Sequence, residues 1–289
     1  MSLLGGRVVA AYGRQYLVEL ETGEKLHCFP RGKKSEIACG DYVELAMAAA
    51  DQGVIERIVP RTSLLYRSNE FRQKLIAANV DQIVIVVATE PAFSDELVTR
   101  ALLAAEDQEI EALIVLNKCD LAERLPIGRA QLQAFIKLGY PTLELSALQQ
   151  AHGLRAALQG KTSVLVGQSG MGKSTLVNAL IPEAKAATRE ISAALDSGKH
   201  TTTHACLYHL DAESHLIDSP GLQEFGLGHL DRDALEHAFR EFRPYLGQCR
   251  FRNCCHDKEP DCALRAARDS GAIDTARFAV YQRIATAFA

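Results

Sequence analysis

The eight residues Gly167-Gln168-Ser169-Gly170-Met171-Gly172-Lys173-Ser174 decide the fold class of this chain. They fit the pattern G-x-x-x-x-G-K-S/T, a loop whose backbone N–H groups surround phosphate oxygens. The apolar run Ser163–Val166 before the loop predicts a strand, and Ser174–Leu180 after it can start a helix. The segment through Thr175 is therefore predicted to bind a nucleotide, with Lys173 bridging the β- and γ-phosphates and Ser174 ligating Mg²⁺.

A second motif, Asn117-Lys118-Cys119-Asp120, lies before this loop in the chain. It fits the N-K-x-D element that reads guanine in Ras-like GTPases, where the element normally follows the phosphate loop. The Asp120 carboxylate can accept hydrogen bonds from guanine N1–H and from the exocyclic amino group, whereas adenine would leave this charge unpaired. Asn117 is expected to support the loop and the base edge, and the stem of Lys118 is expected to cover the base face.

The dipeptide Ser146-Ala147 follows the predicted strand Thr142–Leu145. It fits the short loop whose backbone N–H meets guanine O6, and it occurs one strand after N-K-x-D, where a GTPase needs it. Because both base-reading elements precede the phosphate loop, the motif order predicts a Ras-like P-loop GTPase domain that is circularly permuted.

The segment Asp218-Ser219-Pro220-Gly221 fits the pattern D-x-x-G at the end of a predicted strand. Asp218 is predicted to hold the magnesium ion through water, and the Gly221 N–H to contact the γ-phosphate. Upstream, Thr202 and Thr203 are both candidates for the second hydroxyl on magnesium, and the sequence does not choose between them.

The residue after D-x-x-G bears on the rate of hydrolysis. Ras-type enzymes place a glutamine there to orient the attacking water, but this chain has Leu222. A leucine cannot position water, so slow hydrolysis is expected unless a partner or another side chain completes the site. His200 is the catalytic candidate, and the alternative is a solvent-facing loop histidine.

Composition limits the remaining classes. The chain has 289 residues, of which 47% are hydrophobic and 24% charged, and its net charge is −4. This balance is typical of a globular protein and excludes a general polycation that coats nucleic acid. No long uncharged apolar run and no signal-like start is present, so a cytoplasmic protein without a membrane span is expected.

The N-terminal residues 1–66 are predicted to form a barrel of five short strands, such as an OB-fold, which often binds nucleic acid. In the fourth strand, alternation directs Val43, Leu45 and Met47 inward. The predicted strands are Gly6–Tyr12, Gln15–Glu21, Lys25–Phe29, Asp41–Met47 and Gly53–Val59.

Residues 67–228 are predicted to form the GTPase domain. Apolar runs within Val80–Thr89, Ala112–Leu116 and Ser163–Val166 favour strands buried on both faces of a mostly parallel sheet. Cys206–Leu210 and His215–Ile217 are predicted to form a hairpin on this sheet. The expected fold class is therefore multidomain α/β.

Residues 229–289 are predicted to form a helical domain with a metal site. Asp231 is a candidate N-cap for a helix whose apolar face contains Leu235, Phe239, Phe242 and Leu246.

The zinc prediction rests on Cys249-x₄-Cys254-x-His256-x₅-Cys262. Three thiolates and an imidazole complete a tetrahedral zinc site, and four protein ligands leave no open position, so one structural zinc is expected. Cys255 is the spare cysteine, since adjacent residues cannot easily ligate one ion together.

These motifs resemble those of the ribosome small-subunit-dependent GTPase A family, the circularly permuted YjeQ/RsgA-type GTPases of bacteria. The resemblance covers nearly the whole chain, including the barrel, the motif order and the zinc spacing. It implies a late maturation factor of the small (30S) ribosomal subunit that uses GTP with Mg²⁺, is stimulated by the subunit and dissociates after hydrolysis.

The resemblance also implies contacts to 16S ribosomal RNA through the barrel and the zinc domain. It further implies that His200 corresponds to the family's switch histidine, which has been proposed as catalytic. A monomer is expected. The alternative is a GTP-regulated RNA-binding factor or scaffold that acts on another RNA or protein target.

Overall fold

A computed structural model describes residues 3–32, 36–69, 72–182, 184, 205–219 and 227–286. The first five strands are β1 (Leu4–Tyr12), β2 (Gln15–Leu20), β3 (Lys25–Pro30), β4 (Tyr42–Ala49) and β5 (Gln52–Ile58). β1 pairs with β2 and β4, β3 pairs with β2 and β5, and β4 pairs with β5, so these strands close into a barrel. The barrel has its own core, which includes Val8, Tyr16, Val18 and Leu26. The predicted N-terminal barrel is confirmed.

One side chain of the barrel differs from the prediction. Met47 was expected to face inward, but it is 39% exposed. The register between β4 and β5 shifts between Met47 and Ala49. Such an irregularity turns the side chains near it away from strict alternation.

A two-stranded hairpin, which the sequence did not predict, connects the barrel to the next sheet. It consists of β6 (Leu64–Asn69) and β7 (Arg72–Ala78), which pair antiparallel. Leu65 and Ile76 belong to the larger hydrophobic core of the chain and not to the barrel core. The hairpin therefore packs with the domain that follows it.

The central sheet has the strand order β10-β9-β8-β11-β13-β12. All neighbouring pairs are parallel except β12 and β13, which form the predicted hairpin. The strands of this sheet are β8 (Gln82–Ala88), β9 (Glu111–Asn117), β10 (Thr142–Glu144), β11 (Thr162–Val166), β12 (Ala205–His209) and β13 (His215–Asp218). The helices of the same domain are α1 (Asp95–Asp107), α2 (Leu125–Lys137), α3 (His152–Ala157) and α4 (Lys173–Leu180).

The order of these strands creates a crevice at one place. From β8 the chain proceeds outward to β9 and β10, and it then returns to the other side of β8 to form β11. The connections that leave β8 and β11 therefore diverge at the carboxyl ends of adjacent parallel strands. In open α/β sheets this topological switch point is where ligands bind.

The barrel and the central sheet are joined edge to edge. β12 pairs antiparallel with β1, with Ala10 opposite Cys206 and Ala11 opposite Ala205. The buried Arg7 of β1 also donates a hydrogen bond of 2.9 Å to the Thr162 hydroxyl at the start of β11. The barrel is thus attached to two strands of the central sheet.

The C-terminal residues form short helices: α5 (Arg232–Ala238), a 3₁₀ turn (Arg243–Tyr245), α6 (Ala263–Asp269) and α7 (Thr275–Ala285). The Asp231 side chain caps α5 by accepting a hydrogen bond of 2.8 Å from the Ala234 N–H. The helix ends earlier than the apolar pattern suggested, because Phe239 has extended backbone angles. Phe239 and Phe242 are nevertheless fully buried and stack with ring centroids 4.7 Å apart.

These C-terminal helices share one hydrophobic core with the central sheet. Arg277 of α7 forms a buried ion pair of 2.8 Å with Glu241 and donates a 2.6 Å hydrogen bond to Thr99 of α1. Arg240 and Arg243 both pair with Glu106 of α1 at 2.6 Å. Helix α1 is therefore the surface on which the C-terminal region docks. Among the described helices, none is long and apolar enough to cross a membrane.

Candidate nucleotide site and metal centre

The loop Gly167–Gly172 leaves the buried strand β11 at the switch point and leads into α4. Gly167, Gly170 and Gly172 have φ values of +144°, +82° and +93°, which L side chains rarely adopt. A Cβ atom at Gly167 would collide with the Val86 carbonyl, and one at Gly172 would collide with the Asn117 amide. The loop therefore depends on glycine for its conformation and for its close approach to β8 and β9.

Lys173 begins α4 and points back along this loop. Its ammonium donates hydrogen bonds to the carbonyl oxygens of Gly167 (2.6 Å) and Gln168 (2.9 Å). Burial lowers the pKa of Lys173, and the neighbouring Asp218 carboxylate opposes that effect. Next to it, Ser174 and Thr175 are exposed, as are Ser169 and Gly170 on the opposite limb of the loop. The loop thus presents its outer side and a partly desolvated cation to the crevice.

Asn117 connects two loops that lie far apart in the sequence. This side chain, at the end of β9, is 1% exposed. Its Nδ2 donates to the Met171 carbonyl in the phosphate loop at 2.8 Å, and its Oδ1 accepts from the Ala147 N–H at 2.9 Å. The N-K-C-D, S-A and phosphate-loop segments are therefore held together by one buried amide.

The remaining residues of N-K-C-D surround this junction. Lys118 has a φ of +61°, and its ammonium donates to the Glu90 carbonyl at 2.7 Å. Thr89 donates to the Lys118 carbonyl at 3.0 Å. Asp120 is exposed and Ser146 is buried. Ser146 Oγ has no hydrogen-bond partner within the described part of the chain. The residues just after β8 therefore hold Lys118, which lies two positions before the exposed Asp120.

Asp218 ends β13 beside the phosphate loop. It lies opposite Leu165 of β11 in the parallel register and is 8% exposed. Burial raises the pKa of Asp218 to about 6, and the Lys173 ammonium opposes that rise. The adjacent Ser219 donates to the Leu165 carbonyl at 2.8 Å, which fixes the end of the strand. A buried carboxylate and the Ser174 hydroxyl are hard oxygen donors of the kind that Mg²⁺ prefers.

The second cluster lies in the C-terminal region and can hold a metal ion. Its four possible ligand atoms, from Cys249, Cys254, His256 and Cys262, all lie within 4.8 Å of one another. His256 Nδ1 is 3.2 Å from the Cys262 sulfur and 3.6 Å from the Cys249 sulfur, and these two sulfurs are 3.9 Å apart. Around a tetrahedral ion with bonds of about 2.3 Å, neighbouring sulfurs lie about 3.8 Å apart. The donor set and spacing therefore fit a tetrahedral metal, and Cys255 is exposed outside the cluster.

Comparison with known proteins identifies the family of this chain. A sequence model described as RsgA GTPase matches residues 58–228 of the chain. The chain belongs to the RsgA GTPase family. Its enzyme class follows from the family: it is a GTPase.

Curated relatives extend this match over nearly the whole chain. Two proteins named "Small ribosomal subunit biogenesis GTPase RsgA" are similar to it, one from Nitrosospira multiformis and one from Paraburkholderia phymatum. The first is 52% identical over 281 residues, covering 97% of this chain and 90% of the relative. The second is 55% identical over 285 residues, covering 96% and 90%.

Solved structures of similar proteins support the fold. YjeQ from Thermotoga maritima superposes with a TM-score of 0.73 at 31% identity and covers 99% of both chains. YloQ, described as a circularly permuted GTPase, superposes with a TM-score of 0.70 at 28% identity and covers 99% of this chain and 95% of its own. The predicted fold class, a barrel followed by a permuted GTPase domain and a C-terminal helical region, is confirmed.

Four predicted site residues of this RsgA-family chain lie outside the described residues: His200, Thr202, Thr203 and Gly221. Their predicted roles stay predictions. All other predicted nucleotide residues lie at the ends of β9, β10 and β11 or in the segments that follow them, and the four predicted metal ligands lie together in one cluster.

Apart from Asn117, the motifs did not reveal which groups hold the loops in place. Gln168 accepts a 2.8 Å hydrogen bond from the Ser94 N–H at the N-cap of α1, so it attaches the phosphate loop to that helix. The Thr89 hydroxyl and the Glu90 backbone carbonyl, in the loop just after β8, hold Lys118. These contacts depend on tertiary proximity, and no local sequence signal marks them.

Proposed function

We propose that this GTPase acts as a late maturation factor of the small (30S) ribosomal subunit, with hydrolysis stimulated by the subunit and release coupled to hydrolysis. The observation that carries the nucleotide part is the buried Asn117 amide, which binds the phosphate loop and the S-A loop at the same time. The names of relatives that are 52% and 55% identical support the ribosomal part.

The phosphate loop would hold the GTP phosphates through the backbone N–H groups of residues 167–175. Lys173 would exchange its hydrogen bonds to the Gly167 and Gln168 carbonyls for phosphate oxygens. Because burial already lowers the pKa of this ammonium, ionic contact with the phosphates would restore it. The nucleotide would thereby stabilise the loop that it enters.

Guanine would be selected at the other end of the crevice. Asp120 would accept the guanine N1–H and amino protons, Lys118 would cover the base, and the backbone of Ser146 and Ala147 would donate to O6. Asn117 would fix the distance between this base site and the phosphate loop, since its amide binds both. An adenine base would leave the Asp120 carboxylate without donors.

Magnesium bound with GTP would supply a positive charge on the β- and γ-phosphate oxygens. Ser174 and Asp218 would hold it, together with Thr202 or Thr203 in the switch segment. Gly221 would contact the γ-phosphate through its N–H, and His200 is our candidate for assisting the attacking water. Leu222 cannot take that role. A requirement for the ribosomal subunit to complete the site is consistent with this absence.

One zinc ion would be held by the cluster of Cys249, Cys254, His256 and Cys262. Three sulfurs and one imidazole nitrogen match the ligand preference of zinc, and four protein ligands make the ion structural. It would hold together the segment of residues 249–262, which carries all four ligands and contains no helix before Ala263.

We also propose boundaries and partners. The chain would divide at residues 1–66, 67–228 and 229–289 into the barrel, the GTPase domain and the zinc domain. The first boundary would cross strand β6 (Leu64–Asn69), whose hairpin packs mainly with the GTPase domain. The barrel and the zinc domain would contact 16S ribosomal RNA, and the protein would act as a cytoplasmic monomer. Exposed aromatic side chains in both regions, Phe29 and Phe251, support RNA contact because bases stack on such rings.

The proposal is tested by measuring GTP hydrolysis by the purified protein alone, with small subunits, and with large subunits. We expect strong stimulation by small subunits only, and its loss in Lys173→Ala. Lys137→Ala, which removes an exposed lysine on α2, is the matched control and is expected to behave as wild type. Equal stimulation by both subunits, or none despite intact GTP binding, would contradict the ribosomal role and favour a GTP-regulated factor or scaffold with another target.

A further inference from the structure

A row of buried polar groups lies next to the cluster of three cysteines and His256. His256 directs Nδ1 toward the cysteine sulfurs, and its other ring nitrogen, Nε2, is 3.2 Å from Glu236 Oε2. The second carboxylate oxygen of Glu236 accepts a hydrogen bond of 2.7 Å from the Tyr281 hydroxyl. The three residues are 5%, 8% and 0% exposed, respectively. The imidazole is thus held between the four-residue cluster and an ordered carboxylate.

The chemistry of a histidine ligand explains this arrangement. A neutral imidazole that binds a metal through Nδ1 carries its proton on Nε2, and this N–H needs an acceptor when it is buried. A carboxylate in that position fixes the tautomer, orients the ring and makes the ligating nitrogen more basic. Glu236 occupies the position of that acceptor.

We propose that Glu236, held by Tyr281, is the positioning residue that prepares His256 to bind the metal through Nδ1. The inference rests on the proposed metal centre and deepens it. It assigns a metal-supporting role to a residue that lies outside the segment carrying the ligands, residues 249–262.

The surroundings of Glu236 argue against a purely packing role. A buried carboxylate is unfavourable unless it is paired and hydrogen-bonded. Within the described part of the chain, His256 is the only basic side chain at ion-pair distance from Glu236, and neither Lys nor Arg replaces it. The carboxylate therefore gains its compensation from the imidazole and the Tyr281 hydroxyl.

The position of Glu236 also connects the metal to the nucleotide domain. Glu236 lies on α5, the first described helix after the segment that contains Gly221. Tyr281 lies on α7, whose Arg277 donates to Thr99 of α1. The contact between His256 and Glu236 therefore makes the geometry of the metal site depend on the two helices that pack against the GTPase domain.

The test uses the full-length protein and three variants. Glu236→Leu removes the acceptor, Glu236→Gln keeps the shape and a hydrogen-bonding oxygen but removes the charge, and Tyr281→Phe removes only the hydroxyl. Glu241→Gln is the matched control, because Glu241 is also buried and paired in the same region but does not contact the cluster. Zinc affinity is measured by competition with a chromogenic chelator, and the absorption spectrum of the Co²⁺-substituted protein reports the ligand geometry.

We expect Glu236→Leu to weaken zinc binding by about 10- to 100-fold and to alter the Co²⁺ spectrum. Glu236→Gln is expected to weaken binding less, and Tyr281→Phe least. Glu241→Gln should keep the wild-type zinc affinity and spectrum even where it lowers stability.

Wild-type affinity and spectrum in Glu236→Leu and Glu236→Gln would overturn the positioning role while leaving the zinc centre intact. A wild-type protein that binds neither zinc nor cobalt would instead overturn the metal centre and this inference together. The intermediate variants keep the test informative if Glu236→Leu does not fold, because Tyr281→Phe preserves the carboxylate and the packing of its ring.

Discussion

Replacing Asn117 by alanine should damage the nucleotide site more than it damages the fold. The truncation would leave two groups without their partner, the Met171 carbonyl and the Ala147 N–H. Met171 and Ala147 are 1% and 7% exposed, so water cannot easily replace the amide. Each unpaired buried group costs about 1–3 kcal/mol. Both groups lie in loops that would bind nucleotide, and neither lies in the sheet.

Taking the lower value for each group gives about 2 kcal/mol, which corresponds to about a 30-fold weaker Kd for guanine nucleotide. The assay is titration with a fluorescent GDP, together with thermal unfolding of the nucleotide-free protein to separate binding from folding. Gln133→Ala, which truncates an exposed amide on α2, is the control.

Asn117→Asp gives a second, sharper comparison. The carboxylate can still accept from the Ala147 N–H, but it places an oxygen against the Met171 carbonyl where the wild type has a donor. We therefore expect it to bind nucleotide at least as weakly as the alanine variant. If both variants bound GDP within twofold of wild type, the idea that this amide holds the two loops together would be refuted.

Three further outcomes are expected. Gly172→Ala should weaken GDP binding at least tenfold, because the φ of +93° at this position and the Asn117 amide both exclude a Cβ atom. Gly153→Ala should leave GDP binding unchanged, because a Cβ atom at Gly153 would meet nothing within 4 Å. Arg277→Met should lower the free energy of unfolding, measured in urea, by about 3–5 kcal/mol, because it leaves Glu241 buried and unpaired. Adding Glu241→Gln should recover part of the lost stability. Equal stability of the single and double variants would contradict this explanation. Burial, followed by the charges of Arg7 and His209, lowers the pKa of His215 to about 4. The unfolded chain, with an imidazole pKa of about 6.5, takes up a proton that the folded chain does not. Stability should therefore fall as pH decreases from about 6.5 to 4, and His215→Gln should show a shallower fall in thermal unfolding; an unchanged pH profile would refute this.

The sequence predicted those elements whose signal is local. Runs such as Ala112–Leu116 are apolar throughout because strands of a parallel sheet are buried on both faces. The glycines of the phosphate loop mark positions where φ is positive, and at Gly167 and Gly172 no Cβ fits. The four metal ligands were visible because their chemistry and spacing are unusual in a short segment.

What the sequence did not predict depends on contacts between distant segments. The pairing of β12 with β1 joins residues 205–206 to residues 10–11, and no pattern within either strand specifies its partner. Hairpin β6–β7 lacks a tight turn signal and a clear alternation. Helix α5 ends at Ala238 although the apolar spacing continues. Beyond it, Phe239 and Phe242 stack on each other and meet the Tyr281 ring edge-on, so they are buried without extending the helix.

The reversed order of motifs has a structural explanation in the sheet. The predicted base-reading segments follow β9 and β10 on one side of β8, and the phosphate loop follows β11 on the other side. The crevice depends on which strands are neighbours and not on the order in which the chain visits them. Asn117 reaches the Met171 carbonyl in the phosphate loop, so the two loops lie side by side although they are far apart in the chain.

The most direct test of the account is a change of nucleotide specificity at Asp120, measured with small ribosomal subunits present. Asparagine at this position offers one acceptor and one donor, which suits xanthine, because xanthine carries an oxygen where guanine has its amino group. We predict that Asp120→Asn loses at least 100-fold in GTP hydrolysis and gains hydrolysis of xanthosine triphosphate that the small subunit stimulates. A variant that hydrolyses GTP as wild type does, and does not use xanthosine triphosphate, would contradict the assignment of this crevice as the guanine site.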